Sequence, residues 1–403
     1  MGDLPVALRI GAQRALLSLL CGLGGCVPSH EGEHGSTSTQ WRVATEPALS
    51  VGAFDSNDTV TFRDISAAVR LGDGRIVVAD GGLHSRLTAL GPDGRLLTTI
   101  GRYGEGPGEY RYVTTLQAGP DDSLYVFDVG QQRLMAFTGD GHVGRTERVQ
   151  SAGTHMLRSV SRLSNSVWVA SEEGRPTLGV IDQIVRDTIA VGLLSPTLGR
   201  MKVLTHLPTA MAVTFSVGGQ TAFGSALFSP RVLRATWGRC IFLSGDEDSS
   251  IEVYAESGEH VASISAPGVR RPVTPEAVSA YIQARLVRAA TAQDTAAVEA
   301  KGRTSHPEYL PYFNQMVIDE WGDVWLEEYS PPLGSGGRWH VITQLGQDMG
   351  VAVTRPRLTI FEITAAGVLG AWAGAFDEPT IVVLPLLSRP SERPSVIPAC
   401  QDE

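Results

Sequence analysis

A glycine-rich, charged segment, GRYGEGPGEYR, occupies residues 101–111 of the sequence. Glycine-rich loops bind phosphate groups when their backbone N–H groups converge at the start of a helix. This segment matches neither GxGxxG nor GxxxxGKS/T, and no helical pattern follows it. Its glycines therefore favour positive φ angles and close backbone contacts over a phosphate site. Five of its side chains are candidates for ligand contact or for ion pairs between neighbouring elements: Arg102, Tyr103, Glu105, Glu109 and Arg111.

Aspartate recurs at one position of a repeated pattern. Asp80 ends RIVVAD, Asp128 ends SLYVFD, and Asp246 follows the apolar run CIFLSG. An aspartate at the end of a strand commonly accepts hydrogen bonds from local backbone N–H groups, which predicts a structural role, with a shared metal ring as the alternative. Arg86 and Arg133 recur shortly after the first two aspartates and are expected to pair with them or with neighbouring elements.

Acidic and histidine residues give no complete catalytic or metal-binding motif. Residues 245–248 (GDED) could bind Ca²⁺ through oxygen ligands, but they lack the spacing of an EF-hand loop. His30 and His34 lie in the predicted tether, the other seven histidines form no HxxxH or HxH pair, and no GxSxG is present. The sequence therefore identifies neither a catalytic residue nor a metal ligand, and no cofactor is predicted beyond the Ca²⁺ alternative.

The composition indicates a folded chain rich in turns. The 403 residues include 45 glycines and 23 prolines, with 42% hydrophobic and 19% charged residues. The net charge of −10, with no basic cluster, argues against binding to nucleic acid.

A pattern with a period of about 40 residues organises the chain. ISAAVRLGDGRIVVAD (65–80) and VTTLQAGPDDSLYVFD (113–128) each contain two strands, and further strands follow across Asp/Gly turns. Weaker copies follow at 157–192, with middle strands VWVAS and TLGVID, and at 223–266 and 312–353. A last copy at 357–386 has three strands only, and residues 41–51 are predicted to supply its fourth strand. The sequence thus predicts an all-β fold, a six-bladed β-propeller of four-stranded antiparallel blades, in which an N-terminal strand closes the ring.

The Ala-Asp…Arg-Leu blades resemble NHL-type repeats. Residues 100–110 and the run from Trp339 to Leu386 resemble segments of bacterial six-bladed β-propeller lipoproteins, a family mostly of unassigned function. The resemblance covers roughly residues 41–387 and is thin around 150–235. It implies a ligand site built from the loops of several blades around a central channel.

The N-terminus is interpreted as a lipoprotein signal peptide over residues 1–25. Arg9 and Arg14 precede the apolar stretch ALLSLLCGL, and Leu23-Gly24-Gly25-Cys26 resembles a lipobox, which implies lipidation of Cys26. An ordinary secretory signal is the alternative. Residues 26–40 are expected to form a flexible tether, 41–387 the propeller and 388–403 a disordered tail. Cys240 and Cys400 could pair, or Cys240 could be a buried free thiol.

Residues 274–302 are predicted to be a helical insertion, with Thr274 as N-cap and Pro275 at the first helical position. Val278, Tyr281, Ile282 and Leu286 form its apolar face. The insertion is expected to pack on one face of the blades, and a lid over the channel or a docking helix is the alternative.

The expected function is that of an exported, lipid-anchored cell-envelope module. It would be a non-enzymatic binding or scaffolding protein for a protein, peptide or glycan, and it would contact the membrane through its lipid only. The alternative is a metal-dependent hydrolase or lyase with its site in the central channel.

Overall fold

A computed structural model describes residues 41–52, 60–81, 85–149, 156–164, 167–173, 180–194, 201–245, 248–287, 289, 291–331, 337–373, 378–390 and 395–401. The predicted signal peptide, Cys26, the predicted tether and Asp246 lie outside these residues. No helix in the described ranges is long and apolar enough to cross a membrane.

Six four-stranded antiparallel sheets account for most of the described chain. The strands of sheet 1 are Ile65–Arg70, Ile76–Asp80, Arg86–Leu90 and Leu96–Ile100. Those of sheet 2 are Val113–Ala118, Leu124–Asp128, Arg133–Phe137 and Val143–Arg148. Those of sheet 3 are Met156–Arg162, Trp168–Glu173, Thr188–Leu194 and Lys202–Pro208. Those of sheet 4 are Leu233–Trp237, Cys240–Ser244, Ser250–Ala255 and His260–Ser265. Those of sheet 5 are Phe313–Ile318, Val324–Glu328, Gly337–Ile342 and Asp348–Thr354. Sheet 6 contains Thr359–Thr364, Gly367–Ala373, Pro379–Leu384 and the N-terminal strand Leu49–Val51.

The N-terminal strand occupies the position that the repeat pattern predicts for it. Leu49–Val51 pairs antiparallel with Pro379–Leu384, with Ser50 opposite Val382. A second short pairing joins Arg42–Val43 to Leu386–Ser388. The first and last parts of the described fold are therefore held together by backbone hydrogen bonds.

Apolar side chains from successive sheets form the core. Ile241 and Leu243 of sheet 4, for example, pack with Val191 and Leu193 of sheet 3. Sheet 6 likewise packs on sheet 1, where Leu369 and Ile381 join Ala68 and Ile76. Because both faces of the inner strands are covered by neighbouring sheets, their sequences are almost continuously apolar.

The first strands of the sheets lie side by side and run in the same direction. Thr114 donates to the carbonyl of Arg158, and three residues further along Gln117 donates to the carbonyl of Arg162. Gln315 makes the same kind of bond to the carbonyl of Ile360, with the same sequence separation of 45 residues as between Gln117 and Arg162. The common direction matters for the site, because equivalent turns of all the sheets then lie on the same face.

The middle of the chain differs from the sequence prediction in two ways. The third strand of sheet 3 is Thr188–Leu194, not the stretch TLGVID at 177–182. Ile184–Val185, Ala212–Val217 and Gln220–Ser225 form an additional three-stranded sheet, which the repeat pattern did not reveal. This small sheet lies in the connections around sheets 3 and 4.

The predicted helical insertion is confirmed between sheets 4 and 5 as two helices, α1 (Pro275–Leu286) and α2 (Ala292–Gly302). Thr274 caps α1 by accepting a hydrogen bond from the N–H of Ala277. The apolar side of α1 contacts a cluster that contains Leu227, Phe228 and Leu310. Ala300 of α2 packs on the small sheet beside Val213 and Phe215.

The C-terminal tail is ordered where the structure describes it, contrary to the disorder that its composition predicts. Cys400 lies in a 3-10 turn, Pro398–Cys400, and forms a disulfide with Cys240. Ile397 and Cys400 are buried in the core between sheets 4 and 5. The prediction failed because the anchoring contacts come from residues far away in the sequence.

Candidate functional site

The glycine-rich loop 101–111 connects the last strand of sheet 1 to the first strand of sheet 2. Glu109 accepts hydrogen bonds from the backbone N–H of Gly106 at 2.7 Å and from Nε of Arg102 at 2.6 Å. These donors lower the pKa of the Glu109 carboxyl. Arg111 pairs with Glu105. The loop's charged side chains therefore bond mainly to one another.

Tyr110 connects this loop to sheet 1, and Tyr103 lies at its surface. The buried Tyr110 hydroxyl donates to the carbonyl of Ile100 at 2.7 Å and accepts from the N–H of Leu87 at 3.0 Å. Burial raises the pKa of Tyr110 to about 12, so it stays protonated and can keep donating. Tyr103 is exposed and pairs with Tyr110 through a short parallel bridge of the backbone. The loop has the geometry of a connection.

The repeated aspartates accept hydrogen bonds from the chain that enters their own sheet. Asp128 Oδ2 accepts the N–H of Arg111 at 2.8 Å, and its Oδ1 accepts those of Tyr112 and Gly130. Asp80 Oδ1 accepts the N–H groups of Arg63 and Asp64 at 2.8 and 3.1 Å.

The two repeated arginines differ in their partners. Arg86 Nη2 lies 3.2 Å from Asp80 Oδ2. Arg133 donates instead to the carbonyl of Glu105 in the glycine-rich loop, at 2.6 Å. Arg86 Nη2 also donates to the carbonyl of Thr61 at 2.8 Å, so each arginine contacts the chain that precedes the first strand of its own sheet.

Asp246 of the acidic run lies outside the described residues, and Asp248 is already engaged. Its Oδ1 accepts from the N–H and hydroxyl of Ser250 at 3.0 and 2.6 Å, which lowers its pKa. Within the described ranges, no three His, Cys, Asp or Glu side chains are placed to share a metal ion.

A cavity of about 330 Å³ lies where the two long connections meet sheet 5. Its walls come from three parts of the chain: the connection between sheets 3 and 4, the helical insertion, and the facing ends of two sheet 5 strands. The main lining side chains are Phe228, Arg231, Tyr281, Arg285, Lys301, Asn314 and Tyr329. Ligand sites commonly have volumes of roughly 300–1,000 Å³.

The cavity carries three cationic side chains. In the described part of the chain, no carboxylate lies within ion-pair distance of Arg231, Arg285 or Lys301. Burial, together with the nearby charge of Arg285, lowers the pKa of Lys301. Arg285 is placed by Tyr281, one helical turn earlier, because its Nη2 donates to the tyrosine hydroxyl at 3.3 Å. The local excess of positive charge stands out in a chain with a net charge of −10.

Phe228 is held in an uncommon backbone conformation at the wall of this cavity. Its φ of +53° lies in the left-handed region, which costs a bulky residue about 1–3 kcal/mol. The ring is buried and packs edge-to-face on Tyr281, with centroids 5.4 Å apart. Packing against α1 offsets the strain, and it fixes the wall of the cavity.

Topology places the cavity and the predicted candidates on one face. In each sheet, the turn between the second and third strands and the connection to the next sheet lie at the same end of the strands. Asp80, Asp128 and the loop 101–111 are at this end of sheets 1 and 2, and the cavity is at this end of sheets 4 and 5. The predicted candidates thus lie on the same face as the cavity, but beside different sheets.

Sequence reasoning missed the cavity residues. Arg231, Arg285 and Lys301 are separated by up to 70 residues and form no local motif. The one available signal was the predicted insertion, whose apolar face correctly included Val278 and Tyr281. Its cationic residues could be linked to Arg231 only through the fold.

Comparison with known families supports the fold. Residues 53–157 match the family model DUF5128, which is described as a 6-bladed beta-propeller. With the six observed sheets, this match is decisive. The fold is a six-bladed β-propeller, and the resemblance of the sequence to such proteins is confirmed.

Solved structures similar to this propeller include two from Bacteroides. A proposed exported protein of Bacteroides fragilis has 10% identity, a TM-score of 0.47, and coverage of 86% of this chain and 99% of its own. A member of the DUF4221 family from Bacteroides vulgatus has 9% identity, a TM-score of 0.47, and coverage of 86% and 98%.

Virginiamycin B lyase from Staphylococcus aureus also has a similar structure, with 9% identity, a TM-score of 0.40, and coverage of 83% of this chain and 98% of its own. At these identities and TM-scores, none of the three bears on activity or ligand. No curated protein sequence matches the chain.

Proposed function

We propose that this propeller is an exported, non-enzymatic binding module of the cell envelope, anchored by a lipid on Cys26. Its ligand is a protein, peptide or glycan, bound on the face that carries the cavity. The single observation that supports this proposal is the cavity itself, which is formed by sheet 5 and by two connections packed on the propeller. A preformed site loses little conformational entropy on binding.

The strain at Phe228 adds to this support. Residues in sparsely populated φ/ψ regions cluster at functional sites, and Phe228, with its φ of +53°, lies at the wall of the cavity. The metal-dependent alternative gains no comparable support, since the described side chains include no group of three placed to share a metal ion.

The test is a binding survey with the purified full-length lipoprotein in detergent. Arrays of cell-wall glycan fragments, acidic and neutral oligosaccharides, and peptides are probed, and each bound ligand is recovered for mass spectrometry. We expect saturable binding to one class, with the ligand recovered unchanged. Binding to no class, or recovery of a cleaved ligand, would contradict the proposal.

Two tryptophan variants locate the binding site. Ser330 is an exposed residue at the cavity, so Ser330→Trp is expected to fill the opening and to weaken binding about tenfold or more. Ser257 is an exposed turn residue of sheet 4, between its third and fourth strands, at the opposite end of the strands. Ser257→Trp is expected to leave binding unchanged. Equal effects of the two substitutions would place the ligand elsewhere.

A further inference from the structure

We infer that the cavity between α1, α2 and sheet 5 is an oxyanion site that takes a carboxylate or phosphate group attached to a partly apolar body. The inference names the chemical class of the ligand that the proposed binding module would take. It rests on the proposed function only for the statement that this ligand comes from the cell envelope.

The first support is the charge of the cavity. Arg231 and Arg285 present guanidinium groups, and Lys301 presents an ammonium group, to the same space. Guanidinium groups bind carboxylate and phosphate through paired N–H donors, and such charged hydrogen bonds are the stronger kind. Within the described residues, these three cations have no carboxylate partner that a ligand would have to displace.

The second support is the effect of burial on Lys301. Lys301 is only partly exposed, and its pKa is lowered by burial and by the like charge of Arg285. Lys301 and Arg285 repel each other, since no carboxylate of the described residues pairs with either of them. An anion bound between them would relieve this repulsion, so the cavity has a stronger preference for an anion than either cation alone would give.

The third support is the remaining lining of the cavity. Tyr281 and Tyr329 supply aromatic surface, and Ser225, Ser229 and Asn314 supply hydroxyl and amide groups. Asn314 Nδ2 donates to the buried Glu327 at 2.6 Å, which leaves the second N–H and the amide oxygen of Asn314 for a ligand. This oxygen accepts a hydrogen bond from a hydroxyl or N–H on the ligand body.

Size limits the ligand. A space of about 330 Å³ is at the lower end of small-molecule sites, so it accommodates a terminal group such as one or two residues of a peptide or one or two sugar rings. A longer ligand would have to continue outside the cavity. The inference therefore concerns the end of a ligand and its charged group.

The experiment is isothermal titration of the full-length protein with citrate, with inorganic phosphate and with neutral glucose, at low salt. We expect saturable binding of citrate or phosphate with one site per chain, weakened by added NaCl, and none of glucose. The two anions distinguish a carboxylate from a phosphate preference. An absence of saturable binding of both anions would overturn the inference.

Charge variants test the position of the site. Arg285→Gln is expected to weaken anion binding about fivefold or more, and Arg285→Gln with Lys301→Gln more strongly. Arg285→Lys should retain part of the affinity. The matched control is Arg95→Gln, which removes another exposed positive charge from a turn of sheet 1. If the double variant does not fold, the single Arg285→Gln variant, whose side chain lies on the exposed surface of α1, decides the question.

Failure of the inference can be separated from failure of the proposed function. An envelope ligand that binds the protein, but whose affinity is the same in Arg285→Gln, overturns the oxyanion site and leaves the binding module intact. Citrate binding that depends on Arg285, combined with no ligand on any array, supports the oxyanion site and contradicts the proposed function.

Discussion

Asp319 Oδ1 accepts a hydrogen bond from the backbone N–H of Asp323 at 2.9 Å, and both aspartates are almost fully buried in one turn of sheet 5. Asp319 also accepts the indole N–H of Trp325 at 3.0 Å, whereas the buried Oδ1 of Asp323 has no hydrogen-bond partner among the described residues. Burial raises the pKa of Asp319 to about 6. Burial and the charge of Asp319 raise the pKa of Asp323 to about 7.

These aspartates predict that the protein is less stable at pH 8 than at pH 5. Both folded-state pKa values exceed the unfolded value of 3.8, so the folded state holds more protons between about pH 4 and 7. The contribution of these two raised pKa values to the free energy of unfolding is fully present below pH 4. It is lost as the pH rises through the folded-state pKa values of about 6 and 7. The midpoint temperature of thermal unfolding should therefore be lower at pH 8 than at pH 5.

Asp323→Asn removes the less well bonded carboxylate of the pair. It is expected to stabilise the protein by about 1–2 kcal/mol at pH 8 and to reduce the pH dependence, as measured by urea unfolding at both pH values. The control is Asp140→Asn, because Asp140 is exposed and its pKa is lowered to about 2, below this range. A pH dependence that is identical in the wild type and in Asp323→Asn would contradict the assignment.

Loss of the Cys240–Cys400 disulfide is expected to release the C-terminal tail. Cys400→Ser should lower the free energy of unfolding by about 2–4 kcal/mol, because the cross-link closes a loop of 160 residues. Urea unfolding measures this change. Titration of free thiols under denaturing conditions, in which only Cys26 and Cys21 could otherwise contribute, checks that the bond is present in the wild type. Equal stability of the two proteins would show that the tail contributes little.

Gly101 is predicted to be a glycine that the fold requires. Its φ is +64°, and an added Cβ would lie 2.5 Å from the carbonyl oxygen of Gly108. Gly101→Ala should cost about 2–4 kcal/mol, because it combines an unfavourable φ with a clash against backbone. Gly218 is the matched control, since its φ is +57° and nothing lies within 4 Å of an added Cβ. Gly218→Ala should cost about 1 kcal/mol in the same unfolding experiment.

Asp128 is expected to contribute more to stability than Asp80, although both occupy the same position of the repeat. Asp128 is fully buried and accepts from the N–H groups of Arg111, Tyr112 and Gly130, whereas Asp80 accepts two backbone N–H groups. Asp128→Ala should destabilise the protein by about 3 kcal/mol and Asp80→Ala by about 2 kcal/mol, because buried donors lose their acceptor. Chemical denaturation measures both losses in the free energy of unfolding, and a larger loss for Asp80→Ala than for Asp128→Ala would refute this explanation.

Cys26 is predicted to carry the lipid that holds the protein at the membrane. Metabolic labelling with a radioactive or clickable fatty acid should label the wild type and fail with Cys26→Ser. The variant should then appear in the soluble fraction, because a folded propeller without its acyl chains loses the proposed anchor. Cys21→Ser, which changes a cysteine within the predicted signal peptide, is the control and should still be labelled.

Local sequence patterns predicted the strands of the first two sheets and of the last sheet well. In sheets 1, 2 and 6, turns rich in Asp and Gly separate short strands of the right spacing, and these were found within a few residues. In sheet 3, TLGVID and TIAVGLL both have the composition of a strand. The second contains the buried Val191 and Leu194, whereas Val180 and Ile181, apolar residues of the first that the structure describes, are exposed. Burial against a neighbouring sheet, which no local pattern records, decided between them.

The sequence by itself determined the number of blades, the N-terminal strand of the last sheet, the helical insertion and the loop 101–111 as a connection. The blades, the insertion and the loop have signatures within about 40 residues, so their residue types appear together in the sequence. The N-terminal strand pairs with the distant Pro379–Leu384 and was inferred from the strand missing in the last copy of the repeat. The tertiary structure decided which charged residues meet. Arg231 comes from the connection between sheets 3 and 4, and Arg285 and Lys301 come from the insertion between sheets 4 and 5. They share one cavity only because the equivalent ends of successive sheets lie on the same face of the propeller.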